Sequence, residues 1–246
     1  MKEFVRYGDL HFKKLKKYLI EYKNLPQQET LHEVRVELKK LKVLFYLIEY
    51  CDESFNAKKE YKSLNKIFKK AGKIREIDVM ESLIIKYNIK NIKGIASIKE
   101  KGKLINEFIE RIPRFKDTAL KKENDLKKYL AKVDEKCYLK YSKQKEKALK
   151  NELFPKINLK KLHVVRKKIK EIVYLKDLND KENGKLKNLS KMENTIGSWH
   201  DKQMVLALLN KDNIKLHNLL VNKIKTEADK DIRVIKAILP TIPLPL

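Results

Sequence analysis

Two segments of the chain place a histidine, an arginine and a lysine at the same spacing. The segments are LHEVRVELKKLK at 31–42 and LHVVRKKIKEIVY at 162–174, and the shared residues are His32, Arg35 and Lys39 in the first and His163, Arg166 and Lys170 in the second. Arginine can bind two phosphate oxygens at once through its planar guanidinium, lysine adds a mobile positive charge, and histidine donates hydrogen bonds from its ring. The whole chain has only five histidines and seven arginines, so their recurrence at equivalent places indicates a shared role. The pattern predicts contacts with phosphate or another anion, carried chiefly by Arg35 and Arg166.

The elements that must position these residues are amphipathic helices. Between about 27 and 50, apolar residues recur at steps of three and four and form one stripe, which consists of Leu31, Val34, Leu38, Leu41, Phe45 and Ile48. The cationic residues, extended by Lys42, run beside this stripe rather than opposite it. A row in that place lies where a neighbouring helix also reaches, so it could line a groove between helices.

A second pair of segments repeats further along the chain. These segments are AGKIREIDVMESL from Ala71 and IGSWHDKQMVLAL from Ile196, and their alignment pairs Gly72 with Gly197, Arg75 with His200, Glu76 with Asp201 and Lys66 with Lys191. Two motif pairs in the same order predict two related halves of about four helices each. We expect one domain over 1–246, with a first half at about 1–112 and a second half at about 113–240.

The rest of the chain is also typical of helices. It contains six glycines and six prolines, and the helical pattern breaks at 24–28, 51–56, 87–94, Pro113, 153–159, 180–184 and 211–213. These breaks predict an all-α fold of about eight helices. The three prolines of the final LPTIPLPL predict an extended chain from about Leu239.

Composition indicates the kind of partner and the compartment. A formal net charge of +26 exceeds what solubility needs and predicts a polyanionic partner, for which nucleic acid, inorganic polyphosphate and an anionic membrane surface are all candidates. Cys51 and Cys137 lack the spacing of a metal or redox motif, so we expect two buried thiols in a reducing compartment. The N-terminus lacks the apolar core of a signal peptide, and no apolar run approaches a membrane span. These features predict a cytoplasmic address without a membrane span, and we do not predict a membrane partner.

Taken together, the motifs resemble those of the CHAD family, the conserved histidine α-helical domain. The resemblance lies in the His-x-x-Arg-x-x-x-Lys helix, followed by Gly-x-x-Arg-Glu-x-Asp-Val in one half and Gly-x-x-His-Asp in the other. It implies two four-helix bundles related by a pseudo-twofold axis, with a basic central groove that binds inorganic polyphosphate, in some members at polyphosphate granules. Where family members often carry further basic residues, this chain has Glu171 and Val173, so a weaker contribution from the second half is expected.

We therefore predict a non-catalytic polyphosphate-binding protein, with a basic helical nucleic-acid-binding protein as the alternative. The predicted binding residues are His32, Arg35, Lys39, Lys42, Lys66, His163, Arg166, Lys170 and Lys191. No catalytic motif, metal site or cofactor is predicted, and the sequence leaves the oligomeric state open. Because protonated histidine is the better donor, binding is expected to tighten as the pH falls towards about 6.

Simpler roles remain open for several of these residues. The two histidines could hydrogen-bond across the seam between the bundles instead of touching a ligand. Lysines such as Lys40, Lys62 and Lys187 could belong to a solvated helix face and make no contact with a ligand. Glu76 and Asp201 could pair internally with a cation, and Trp199 could belong to the core.

Overall fold

The computed structural model describes residues 2–89, 96–154, 157–178, 186–211 and 218–242. Every regular element within them is helical, and the α-helices are α1 (Lys2–Asn24), α2 (Gln28–Cys51), α3 (Ala57–Glu60), α4 (Lys62–Lys86), α5 (Ala96–Glu110), α6 (Ile112–Leu130), α7 (Glu135–Leu153), α8 (Leu162–Lys176), α9 (Leu186–Lys211) and α10 (Asn218–Ile238). The all-α prediction is confirmed. None of the helices in this described part of the chain is long and apolar enough to cross a membrane.

The described residues form ten α-helices, whereas the sequence predicts eight. One additional boundary separates α6 from α7, where the Asp134 carboxylate accepts a hydrogen bond from the backbone N–H of Cys137 at 2.6 Å. An aspartate that caps a helix in this way is a recognisable start signal, which the sequence analysis missed. The other additional element is the single turn α3, which Asn56 caps by accepting from the backbone N–H of Lys59 at 2.8 Å.

The predicted breaks at 24–28, 51–56 and Pro113 are confirmed. Those at 87–94, 153–159, 180–184 and 211–213 fall wholly or partly outside the described residues. The extended chain predicted from Leu239 is wrong at its start, because Leu239–Thr241 form a 3-10 helix, and residues 243–246 lie outside the described part. A proline is compatible with such a short turn, since it supplies the required backbone φ.

The chain divides into two compact units. The first unit consists of Met1–Glu81 and Ile95–Tyr141, and the second of Ser82–Gly94 and Ser142–Leu246. The predicted halves, 1–112 and 113–240, rest on the sequence repeat rather than on compactness, and they stay a prediction.

The core of the first unit includes the apolar stripe of α2, which packs with α1. All six predicted stripe residues are buried, as predicted. Tyr61, just before α4, packs its ring against Phe45 and donates its hydroxyl to the backbone carbonyl of Leu38 at 2.7 Å. Burial raises the pKa of Tyr61, so its hydroxyl keeps the proton that it donates. These contacts fix the orientation of α2.

A buried hydrogen bond joins α1 to α2. The Nδ1 atom of His11 lies 2.5 Å from Oε2 of Glu37, and their side chains are 2% and 3% exposed. Residues two positions apart on a helix lie about 200° round its axis, so Glu37 faces away from Arg35 and Lys39. A buried carboxylate is tolerated only with a partner, and this pair therefore specifies which face of α2 turns towards α1.

Cys51 and Cys137 form a disulfide within the first unit, with their Cα atoms 5.9 Å apart. The prediction of two buried free thiols is wrong, because both residues are bonded and partly exposed. They are 86 residues apart in sequence, so no short spacing reveals the pair. Disulfides persist mainly in oxidising compartments, so the cysteines no longer support a cytoplasmic address, which stays a prediction.

The core of the second unit is built from α7, α8, α9 and α10. It includes the repeated apolar residues of α8, which are Leu162, Val165, Ile169 and Ile172, and all four are buried. Trp199 is partly buried and packs against this core, as predicted. Helix α9 packs with both α8 and α10, so α8 presents its cationic residues beside α9.

Candidate functional site

Arg35 of α2 lies against α4 in the first unit. Its Nη1 donates to the backbone carbonyl of Phe68 at 2.8 Å, and its guanidinium carbon lies 4.1 Å from the Phe68 ring centroid. A Cβ atom added to Gly72 would lie only 2.5 Å from Nη1. The missing side chain at Gly72 therefore makes room for the guanidinium, which explains why glycine occurs at this place in the motif.

A second guanidinium influences Arg35. Burial is the main cause that lowers the pKa of Arg35; Glu76 opposes this effect, and the positive charge of Arg75 adds to it. Arginine nevertheless stays charged at neutral pH. Nη1 of Arg75 is buried and has no hydrogen-bond partner among the described residues. The two guanidinium charges, offset in part by Glu76, favour an anion nearby.

The other predicted residues of the first unit lie on the same two helices. His32 and Lys42 are exposed on α2, Lys39 is half-buried there, and Lys66 is exposed on α4. The Nζ atom of Lys42 lies 5.7 Å from the ring centroid of Tyr46, one turn away on the same helix. Whether these four side chains contact a ligand stays a prediction.

Arg166 of α8 lies against α9 in the second unit. Its Nε donates to Oε1 of Glu193 at 2.7 Å, and Nζ of Lys170 lies 3.1 Å from the same oxygen. A Cβ atom added to Gly197 would lie 2.6 Å from Nη2 of Arg166. The structure thus gathers the second arginine and lysine of the predicted site around one carboxylate, while Lys191 is exposed on α9.

His163 of α8 faces His200 of α9. Their ring centroids are 5.9 Å apart, and the ring planes are inclined by 30°. Burial, followed by the charges of Lys167, His200 and Arg166, lowers the pKa of His163. His163 is therefore mostly neutral at pH 7, and an anion nearby would favour its protonation.

A polar cleft of about 300 Å³ opens beside Arg166 in the second unit. Lys202 lines it and is largely buried, and its Nζ donates to Asp231 at 2.6 Å and to Ser198 at 2.7 Å. Tyr87 also lines it and donates to Glu227 at 3.0 Å, and burial, with the hydrogen bond and charge of Glu227, raises the pKa of Tyr87 to about 12. The internal contacts of Lys202 and Tyr87 hold part of the wall in place.

The two units use the same packing of arginine on glycine. In both, an arginine from the His-x-x-Arg helix places its guanidinium where a Cβ at the motif glycine would stand. The repeat register that pairs Gly72 with Gly197 also pairs Phe68 with Glu193. Each of these residues is the direct partner of its arginine, but Phe68 is neutral and Glu193 is charged.

The sequence analysis did not assign Arg75, His200, Phe68 or Glu193 to the site. The alignment of Arg75 with His200 was a usable signal, because both follow the motif glycine at the same distance. Phe68 and Glu193 gave no such signal, since their chemistry differs and each fits an ordinary helix. Their roles depend on distances between helices, which the sequence does not give.

Among the described residues, no group of three or more histidine, cysteine, aspartate or glutamate side chains could hold a metal ion. Asp201, one of the carboxylates predicted to pair internally, has Oδ1 3.8 Å from Nδ1 of His200. Glu76 acts on Arg35 through its charge.

Comparisons with known proteins identify the fold. No family model matches the sequence, and no curated protein matches it. The structure is similar to the crystal structure of the CHAD domain from the plant Ricinus communis, with a TM-score of 0.76 and 14% sequence identity. The match covers 100% of this chain and 93% of that chain. This protein therefore has the all-α fold of a CHAD domain, as its motifs predict.

Proposed function

We propose that this chain binds inorganic polyphosphate and does not catalyse its conversion. The binding residues are those of the two cationic rows, which we define as His32, Arg35, Lys39 and Lys42 for the first row and His163, Arg166 and Lys170 for the second, together with Lys66 and Lys191. As the resemblance to the CHAD family implies, the polymer would follow a basic groove between the two halves, at polyphosphate granules in the cell.

The observation that carries this proposal is the repeated packing of arginine on glycine. A lysine would supply the same positive charge without requiring a glycine on the facing helix. Both units nevertheless have an arginine and a glycine that makes room for it. The planar guanidinium is the side chain that binds two phosphate oxygens in a fixed geometry. The same device in two units suits a ligand that repeats the same group, as a chain of phosphates does.

The charge of the chain suits such a ligand. Polyphosphate carries about one negative charge per phosphate and condenses counterions, which cationic residues release on binding. Many modest contacts then add up to a high affinity that falls as salt rises. In nucleic acids each phosphate contact makes the slope of log affinity against log salt more negative by about 0.7–0.9, and we expect a similar value for polyphosphate.

The test is the double variant Arg35→Glu/Arg166→Glu. We expect it to lose retention on long-chain polyphosphate and to keep the helical circular dichroism of the wild type. The matched control is Arg114→Glu/Arg233→Glu, which removes one exposed arginine from each unit and changes the net charge equally. A second variant, Arg35→Lys/Arg166→Lys, keeps the charge and should still weaken binding. Equal retention by the control and the site variants would refute the proposal.

Two further measurements separate the alternatives. If DNA or RNA at equal phosphate concentration displaces polyphosphate, the protein is a general nucleic-acid binder and the polyphosphate proposal fails. If the pure protein with Mg²⁺ releases orthophosphate from polyphosphate over time, it is an enzyme of polyphosphate metabolism. We expect that DNA and RNA do not displace polyphosphate and that the orthophosphate concentration does not rise with time.

A further inference from the structure

Glu193 already occupies the place beside Arg166 and Lys170 that an anion would take. Its Oε1 lies 2.7 Å from Nε of Arg166 and 3.1 Å from Nζ of Lys170, and its side chain is only 14% exposed. Burial alone would raise the pKa of Glu193, but the charges and hydrogen bonds of Lys170 and Arg166 outweigh burial and hold this pKa below the ordinary value. Glu193 is therefore ionised at neutral pH.

The first unit has no carboxylate at the matching position. Phe68 stands there, and it offers Arg35 a backbone carbonyl and an aromatic face. Both partners orient the guanidinium but carry no net charge. Glu76 acts on Arg35 through its charge alone. In the second unit Glu193 binds Arg166 and Lys170 directly and cancels part of their charge, so the two units differ in the positive charge that they offer a ligand.

We propose that Glu193 is an internal competitor for the anion in the second unit and that it selects for polyvalent ligands. The inference rests on the proposed polyphosphate binding. A carboxylate attached to the same chain acts at an effective concentration in the millimolar range or above. A free monovalent anion, or a single orthophosphate, must compete with it for the same donors. A chain of phosphates gains further contacts outside this pair, and it can therefore displace Glu193.

The position of Arg166 makes this exchange feasible. Arg166 is 30% exposed and lines the cleft of about 300 Å³, so a ligand can reach the guanidinium while Glu193 holds Nε. Asn194 and Ser198 line the same cleft with neutral polar groups, beside the charged side chains of Lys86, Lys202 and Asp201. A phosphate that enters there first reaches Arg166 from the side that Glu193 leaves open, and it then displaces the carboxylate from Nε of Arg166 and Nζ of Lys170.

The decisive variant is Glu193→Gln, which keeps the shape of the side chain and removes its charge. We expect it to bind long-chain polyphosphate about three- to tenfold more tightly than the wild type, with a salt slope steeper by about 0.7–0.9. Isothermal titration should also detect orthophosphate binding to this variant and not to the wild type.

Glu152→Gln is the matched control. Glu152 lies on α7 in the same unit and also contacts two lysines, with Oε1 2.9 Å from Nζ of Lys168 and Oε2 3.6 Å from Nζ of Lys161. Its removal changes the net charge by the same amount but leaves Arg166 and Lys170 with Glu193. We expect it to change polyphosphate affinity much less.

The reverse exchange tests the same reasoning in the first unit. Phe68→Glu places a carboxylate beside Arg35 and should weaken polyphosphate binding relative to Phe68→Gln, which alters the packing similarly without adding charge. Circular dichroism shows whether both variants fold, and if they do not, the Glu193→Gln result decides alone.

The outcomes separate this inference from the proposed function. If the wild type binds polyphosphate and Glu193→Gln binds no more tightly than Glu152→Gln, Glu193 is not a competitor, while the proposed function stands. If only Glu193→Gln binds, Glu193 is a competitor and the proposed function of the native chain fails. If neither binds, both proposals are refuted.

Discussion

Replacing Gly72 or Gly197 with alanine tests whether these glycines exist to seat the two arginines. An added Cβ atom would lie 2.5 Å from Nη1 of Arg35 or 2.6 Å from Nη2 of Arg166. Ordinary contact needs about 3.5–4.0 Å, so each guanidinium must retreat by about 1 Å. At Gly197 the Cζ of Arg166 is also only 3.0 Å away, so the whole guanidinium must move, whereas at Gly72 the tip alone is close.

The magnitude follows from the contacts that such a movement breaks. Arg35 would lose its hydrogen bond to the Phe68 carbonyl, and Arg166 its bond to Glu193. A hydrogen bond to a charged group contributes about 1.5–3 kcal/mol. Alanine stabilises a helix by about 1 kcal/mol relative to glycine. This gain in the free energy of unfolding partly offsets the loss from the broken hydrogen bond. Displacement of either arginine from the ligand should weaken polyphosphate binding by about tenfold or more.

Gly102 of α5 provides the matched control. It also lies inside a helix, and a Cβ atom added there would meet nothing within 4 Å. Gly102→Ala should therefore show the full gain of about 1 kcal/mol in the free energy of unfolding, without loss of binding. Urea unfolding measures the stabilities of the three variants, and retention on polyphosphate measures binding.

We expect Gly197→Ala to differ from Gly102→Ala, in both the free energy of unfolding and polyphosphate binding, more than Gly72→Ala does. The reasoning is refuted if both site variants gain as much stability as Gly102→Ala and bind polyphosphate like the wild type. It is refuted in part if binding falls while stability rises equally in all three, because the arginine contacts then contribute nothing to the fold.

Two further predictions concern pH and the disulfide. The pKa of His163 is lowered in the folded state, so the unfolded state binds more protons as the pH falls below about 6.5. His163 therefore contributes stability that is present above that pH and is lost as the pH falls through its folded pKa. His163→Asn should lose less stability than the wild type between about pH 8 and pH 5, and equal urea profiles would refute this. The disulfide between Cys51 and Cys137 closes a long loop, because the two residues are 86 positions apart in sequence. Its reduction should lower the free energy of unfolding by about 2–4 kcal/mol. An unchanged urea midpoint in dithiothreitol would contradict this.

The buried faces of the helices could be predicted from the sequence because local periodicity specifies them. The stripe from Leu31 to Ile48 is buried throughout, since residues three and four apart share one face of a helix. Trp199 also packs against the second core, as its alignment with Ile74 in the repeat predicts. The pair of His11 and Glu37 could not be predicted, because it depends on which two helices become neighbours.

The repeat also predicted where the arginines matter, but not what they touch. The recurrence of Arg35 with Gly72 and of Arg166 with Gly197 made these four residues stand out, and in the structure each arginine contacts its glycine. Glu193 and the disulfide were missed for one common reason. Their importance depends on distances between residues far apart in the chain, and neither departs from an ordinary helix in composition.

The net charge of +26 is a poor guide to where an anion binds, because local pairing decides how much of that charge a ligand meets. In the first unit Arg35 has neutral direct partners, while the charges of Glu76 and Arg75 act on it with opposite signs. In the second unit Arg166 and Lys170 share the carboxylate of Glu193. Two segments that look equivalent in sequence thus offer a ligand different charges. We therefore expect Glu193, on the facing helix α9, to weaken the contribution of the second half to anion binding, in addition to the lack of further basic residues within α8.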